Sequence, residues 1–182
     1  MGKPEMNISK KVFLEKLMRE RDKFELLLNR VGFSRRMTLK GVSGKWSIKD
    51  ILAHILAYEL YIADRMNEIM HKEEYIPCKT QVALDAFLEE FGYPDFGSPL
   101  LDNETPGTWV VERYRNVSLE EVVAQELQAF SSILATLEGV PEKSIEKHHL
   151  YDRIATHTYK LYREHLRNIR SWLRVNAVDL KK

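Results

Sequence analysis

Three of the six histidines in this 182-residue chain, His54, His157 and His165, fall where a helical reading turns them toward one core. Imidazoles inside a helical bundle suit two kinds of chemistry. They ligate a divalent ion when nitrogens from facing helices converge, or they pack and hydrogen-bond in a polar pocket. Spacing bears on the choice. Two ligands four residues apart on a helix lie about 6 Å apart along its axis and can bend toward one ion. His157 and His165 bound the stretch HTYKLYREH and are eight apart, which puts them about 12 Å apart, too far for both to reach one ion at about 2.1 Å. Leu161 stands at the midpoint and cannot coordinate a metal. Glu59, Asp64 and Glu126 offer carboxylates, and Tyr58, Tyr61, Tyr159 and Tyr162 offer hydroxyls, yet none has a spacing that singles it out. The adjacent His148 and His149 cannot both face one site from consecutive helical positions and read as solvent-exposed.

Four amphipathic segments have to position these residues. The first runs from about Ser9 to Val31, with Phe13, Leu17, Phe24, Leu27, Leu28 and Val31 at helical spacing, and Gly32 stops it in a left-handed cap. The second opens on SIKD, where Ser47 and Asp50 form a capping box with aspartate in place of the usual glutamate. It continues to about His71 on Ile48, Ile51, Leu52, Ile55, Tyr58, Ile62 and Ile69, with Trp46 placed to pack on that face as a staple. His54 lies between Ile51 and Tyr58 on the same side. The third opens on SLEE, read as a full capping box from Ser118 to Glu121, and ends at Gly139 and Pro141. The fourth runs from about Leu150 to Val175 on a stripe of Leu150, Ile154, His157, Leu161, His165, Ile169 and Trp172. Between the second and third lies a long insertion, residues 76–117. In it TQVALDAFLEEF predicts a short helix from Thr80 to Phe91, and GYPDFGSPLLDNETPG reads as irregular. So long a connection fits an ordered crossover that serves as a pocket lid, or an exposed loop without a role.

No segment has strand periodicity, so the fold class is all-α: a four-helix bundle occupying residues 1–182 as a single domain. Lysine plus arginine number 28 against 27 aspartate plus glutamate, and the signs are interleaved, which leaves no clustered basic face for nucleic acid. The doublets Arg35–Arg36 and Lys181–Lys182 read as solvated ends. No run of 18 apolar residues predicts a membrane span, and no apolar stretch near the start resembles a secretory signal. Gly2 lacks the serine or threonine at position 6 that myristoylation requires. Cys78 is the single cysteine, so neither an internal disulfide nor a thiolate cluster can form, and a cytoplasmic location fits best. Ser43 in GVSGK lacks the nucleophile-elbow pattern, and there is no glycine-rich phosphate loop.

The stretch KWSIKDILAHILAYE, Lys45 to Glu59, closely resembles the second helix of the DinB/YfiT-like bundle superfamily. THTYKLYREHLRNIRSWL, Thr156 to Leu173, resembles its last helix, near the ClbS/DfsB branch. The similarity runs from end to end and is poorest over the insertion. It implies an up-down-down-up four-helix bundle, a homodimer, and one divalent metal, zinc or nickel, held by a histidine on the second helix and an H-x-x-x-H pair on the last. Carried over, His54 takes the first role and His165 the final one, while the remaining position falls on Leu161. His157, Tyr58 and Leu161 would then line the pocket.

Two functions follow and stand level. One is a divalent-metal-dependent transferase or hydrolase acting on a small reactive or thiol-linked molecule, with His157 as a proton carrier. The other is a non-catalytic bundle that binds a small ligand or dimerises and has lost the metal, a reading that rests on Leu161.

Overall fold

The computed structural model describes residues 8–32, 35–102 and 105–176. Among these residues the chain is all-helical, with an isolated bridge between Ser43 and Trp46 but no strand. Gly2 and the Lys181–Lys182 pair lie outside the described residues. No described helix is long and apolar enough to cross a membrane.

Among the described residues, eight α-helices stand where four long segments and one short helix were expected: α1 Lys10–Val31, α2 Ile48–Met70, α3 Gln81–Phe91, α4 Thr105–Arg113, α5 Leu119–Gly139, α6 Glu142–His148, α7 Leu150–His157 and α8 Tyr159–Asn176. Ser9 caps α1 by accepting from the Val12 N–H at 3.2 Å. Gly32 closes it at φ 82°, ψ 157°, which is not the left-handed helical cap expected but an extended positive-φ conformation that only glycine tolerates well. At the start of α2 both halves of the capping box form: the Asp50 N–H donates to Ser47 Oγ at 3.1 Å and the Ser47 N–H to Asp50 Oδ2 at 2.8 Å. The shorter aspartate therefore reaches. On α5 only half of the expected box exists. Ser118 Oγ accepts from the Glu121 N–H at 3.2 Å, but the Glu121 carboxylate turns along the helix and accepts from Gln125 at 2.7 Å.

The insertion is more ordered than its glycines and prolines suggest. The short helix expected there forms as α3, with Thr80 capping it through the Ala83 N–H and Gly92 ending it in the left-handed conformation. The stretch read as irregular then enters α4, whose first residue Thr105 donates its N–H to the Asp102 carboxylate at 2.6 Å. Pro106 sits in the first turn, where its missing N–H costs nothing.

The expected single last helix is broken at Thr158, at φ −131° and ψ −102°. Thr156 and Thr158 both turn their hydroxyls back to carbonyls four residues earlier, Asp152 O at 2.9 Å and Ile154 O at 2.6 Å. Such back-bonding competes with the helical ladder and bends it. The break moves the apolar stripe, so Tyr159, Tyr162, Leu166, Ile169 and Leu173 carry the core on α8 beside His165. Preceding it, the polar stretch Glu142–His148 forms the short α6, joined to α7 through His149 in the left-handed conformation.

α2 runs through the middle of one continuous core, against α5, α4, α7 and α8, and α1 packs on α8. Across that core lies a buried polar network with one member from each long helix. Arg21 of α1 makes a two-pronged ion pair with Glu126 of α5 and reaches Glu59 of α2 at 3.4 Å, and Tyr162 of α8 donates to Glu59. Glu59 and Glu126, which offered themselves as metal ligands in the sequence, are thus committed to Arg21. Burial and the neighbouring Glu126 charge hold the Glu59 pKa well above the usual carboxylate range, which favours its protonated form. Arg21→Met leaves Glu126 buried without its cation and is expected to destabilise the fold by about 3–5 kcal/mol. Urea denaturation of the variant checks this, and a midpoint within error of the native one would contradict it.

Candidate functional site

His54 and His165 meet. His54 lies two turns into α2, half-buried, and His165 sits buried on α8 beside the core stripe, with their ring centroids 5.6 Å apart and nearly perpendicular. His54 Nδ1 and both nitrogens of His165 are buried without a hydrogen-bond partner. Since each neutral imidazole has one donor and one acceptor, the pair presents both kinds of unused hydrogen-bonding capacity at one place. Burial, reinforced for His54 by His165, pushes the His54 pKa down to about 3. Burial alone brings His165 down to about 4. Both rings are therefore neutral at pH 7.

Aromatic rings and the insertion enclose the pair. Trp46 lies 4.9 Å from the His54 ring and 6.5 Å from His165, centroid to centroid, and packs against the apolar core as well. Tyr58 stands edge-on to His54 at 4.8 Å, and Phe96 of the insertion stacks on Tyr58 at 3.9 Å. Gly107 of α4 presses on the indole: a β-carbon there would come within 2.6 Å of Trp46 Cζ2 and 3.9 Å of His54 Nδ1. Of the two readings of the insertion, the covering one matches these contacts. Trp46 precedes His54 by eight residues, a spacing visible in the sequence. The contact at Gly107 had no local signal.

His157 does not join the pair. Its Nδ1–H donates to the Arg153 carbonyl at 2.7 Å, and its ring stacks on Tyr61 at 5.3 Å. Burial pushes its pKa down to about 4. It lies 5.5 Å from the Tyr58 ring and so still borders the aromatic wall. Leu161, one turn before His165, is half-buried against the core. Asp64 accepts from the Tyr93 hydroxyl, His149 is exposed as expected, and His148 is half-buried where exposure was expected.

A resident metal can be tested against these residues. The orphaned nitrogens of His54 and His165 fit two ligand positions, but Leu161 occupies the third. Among the described residues, no group of three histidine, cysteine, aspartate or glutamate side chains is placed to hold an ion. His54 and His165 thus supply two positions of the centre that the resemblance implies, and Leu161 supplies no ligand at the third.

Two predictions follow from this geometry. The folded pKa values of about 3 for His54 and about 4 for His165 lie below the ordinary 6.5, so on acidification the unfolded chain takes up these protons first. The stability they carry is complete above pH 6.5 and is lost toward pH 4, at about 1.4 kcal/mol per pH unit for each histidine. The acid limb of a denaturation profile should therefore be flatter in His54→Phe/His165→Phe than in the native protein, and parallel limbs would contradict the shifts. Leu161→His, in turn, creates an i, i+4 pair with His165 next to His54. Titration calorimetry should show zinc binding markedly tighter than in the native chain, and the gain should vanish when His54 is also removed.

No protein-family model matches the chain, and no curated protein does. Among solved structures it is similar to an uncharacterised protein from Escherichia coli UTI89, at 12% sequence identity, with a TM-score of 0.67 over 94% of this chain and 96% of that one. At this identity the likeness shows the fold alone: nearly the whole of this all-helical arrangement recurs in a chain of quite different sequence.

Proposed function

We propose that the chain is a bundle of the DinB/YfiT-like kind whose functional centre is the His54–His165 pair, and that this pair binds a small molecule. One observation carries the reading: three imidazole nitrogens from two facing helices are buried together with no partner. A buried polar atom without a hydrogen bond costs about 1–3 kcal/mol, and a ligand that supplies the missing donor and acceptor removes that cost. The walls of Trp46 and Tyr58 suit a flat or apolar body carrying a polar edge.

The pKa values favour binding over general-base catalysis. A base works best with a pKa near the operating pH, and imidazoles held at about 3 and about 4 are weak proton acceptors. A second reading, the metal-assisted transferase or hydrolase of the ClbS/DfsB branch, draws on the same free nitrogens. Neutral imidazole is the metal-binding form, and an ion there would polarise an electrophile or a bound water.

Protein-observed NMR on histidine-labelled protein, screened with neutral fragments that carry both a donor and an acceptor, tests the first reading. Hits should move the His54 and His165 ring resonances and be lost in His165→Phe. Hits that leave those resonances in place would remove the reading. One equivalent of tightly held zinc or nickel in untagged protein would replace it with the second.

A further inference from the structure

Eleven residues beyond His54 on α2, about 16 Å along the axis, Arg65 is 1% exposed. Only part of its guanidinium is satisfied. Nη2 donates to Glu68 Oε1 at 2.6 Å, while Nε and Nη1 are buried without a hydrogen-bond partner. The faces of Tyr61 and Tyr75 lie 4.9 and 4.4 Å from its central carbon and stabilise the charge, but a ring face does not replace an acceptor for an N–H. A buried cation with unused donors is costly, and arginine cannot escape the cost by losing its proton.

Arg65 lines a cavity of about 640 Å³ between the end of α2 and the α6–α7 corner, within the usual range for small-molecule sites. Four cations border it, Arg65, Lys72, Lys147 and Arg153, against three carboxylates, so the balance is positive. Ser144 adds a hydroxyl, and His148 an imidazole. The unpartnered oxygen of Glu68, Oε2, is also buried, so an occupant gains further from a hydroxyl or amine beside its acceptor group. Nothing in the His54–His165 site accounts for these groups.

We propose that this cavity is a second binding site, which takes the oxyanion of a small phosphorylated or carboxylated molecule, with Arg65 as the buried anchor and Lys147 and Arg153 closing on it from the α6–α7 corner. Guanidinium N–H groups match phosphate and carboxylate oxygens in geometry and charge, and such charge-assisted bonds are the strong ones. Burial of Arg65 limits solvent screening of its charge, and the planar fork of its N–H groups favours oxyanion oxygens over a simple halide.

Inorganic phosphate and acetate, each added to the full chain at ionic strength matched with sodium chloride, are the probes. Native protein should show a rise in melting temperature with at least one of them, saturating to a Kd by calorimetry, and the one that works identifies the oxyanion. Lys147→Glu should raise that Kd by about tenfold, whereas Lys143→Glu, the same charge change on α6 away from the cavity lining, should leave it within about twofold. Arg65→Lys, checked for native circular dichroism, should also weaken binding, because the fork is lost while the charge is kept. Absence of a shift with either anion overturns the proposal, and so does an equal Kd in Lys147→Glu and Lys143→Glu.

Discussion

The buried pairing of Arg21 with Glu126 and Glu59 fixes how the long helices stand to one another. Each partner comes from a different helix, and Tyr162 of α8 completes the set, with its ring stacked on Phe24 at 5.1 Å. A guanidinium and a carboxylate out of water are tolerable only when paired, and Glu59, its protonated form favoured, adds a third polar partner to the pair. Rotating any one helix by a residue would separate them, so the network sets rotation as well as proximity. With Glu59 turned toward Arg21, His54, five positions earlier, lies about 140° round α2 and looks toward α8 and α4 instead. On α8, Tyr162 points into the network, and His165, three positions later, lies about 60° to its side. The two imidazoles therefore face each other as a consequence of where a separate ion pair holds their helices.

The break at Thr158 decides which histidines meet. In one continuous helix His157, Leu161 and His165 would share a face, and the last helix would point His157 into the same interior as His165. Two threonines with hydroxyls bonded back to carbonyls interrupt that face. His157 is left to stack on Tyr61, while Tyr159 and Tyr162 take over the core on the far side of the break. His54 and His165 are left as a pair, and Leu161, one turn before His165, is an apolar neighbour.

Much of this was legible in the residues. The limits of α1, α2, α3 and α5, the Ser47–Asp50 box and the inward turn of His54 and His165 follow from local period and capping, which depend on neighbours within a turn or two. What escaped depends on competition or on distant contacts. Thr156 and Thr158 look like ordinary residues of a continuous helix until their hydroxyls choose the backbone. The start of α4 hides behind Pro106 and Gly107, which in most contexts mark a turn, although Asp102 is a cap signal three residues before Thr105. Glu59 and Glu126 read as free carboxylates because their partner, Arg21, is 38 and 105 residues away in the chain. Trp46 packs on the α2 face as a staple would, but the sequence cannot show that α4 folds back and presses Gly107 against its ring.

The same interruption that separates His157 from the pair also shapes the other end of α2. With α7 ending at His157, the ring of that residue joins Tyr61, whose hydroxyl donates to Tyr75 at 3.0 Å, and both tyrosines turn ring faces to Arg65. Arg153, whose carbonyl holds His157, lines the Arg65 cavity one turn earlier. Tyr61 thus stands between the neutral imidazoles of the His54 end and the positively lined cavity of the Arg65 end, stacked on His157 and turning its ring face to Arg65.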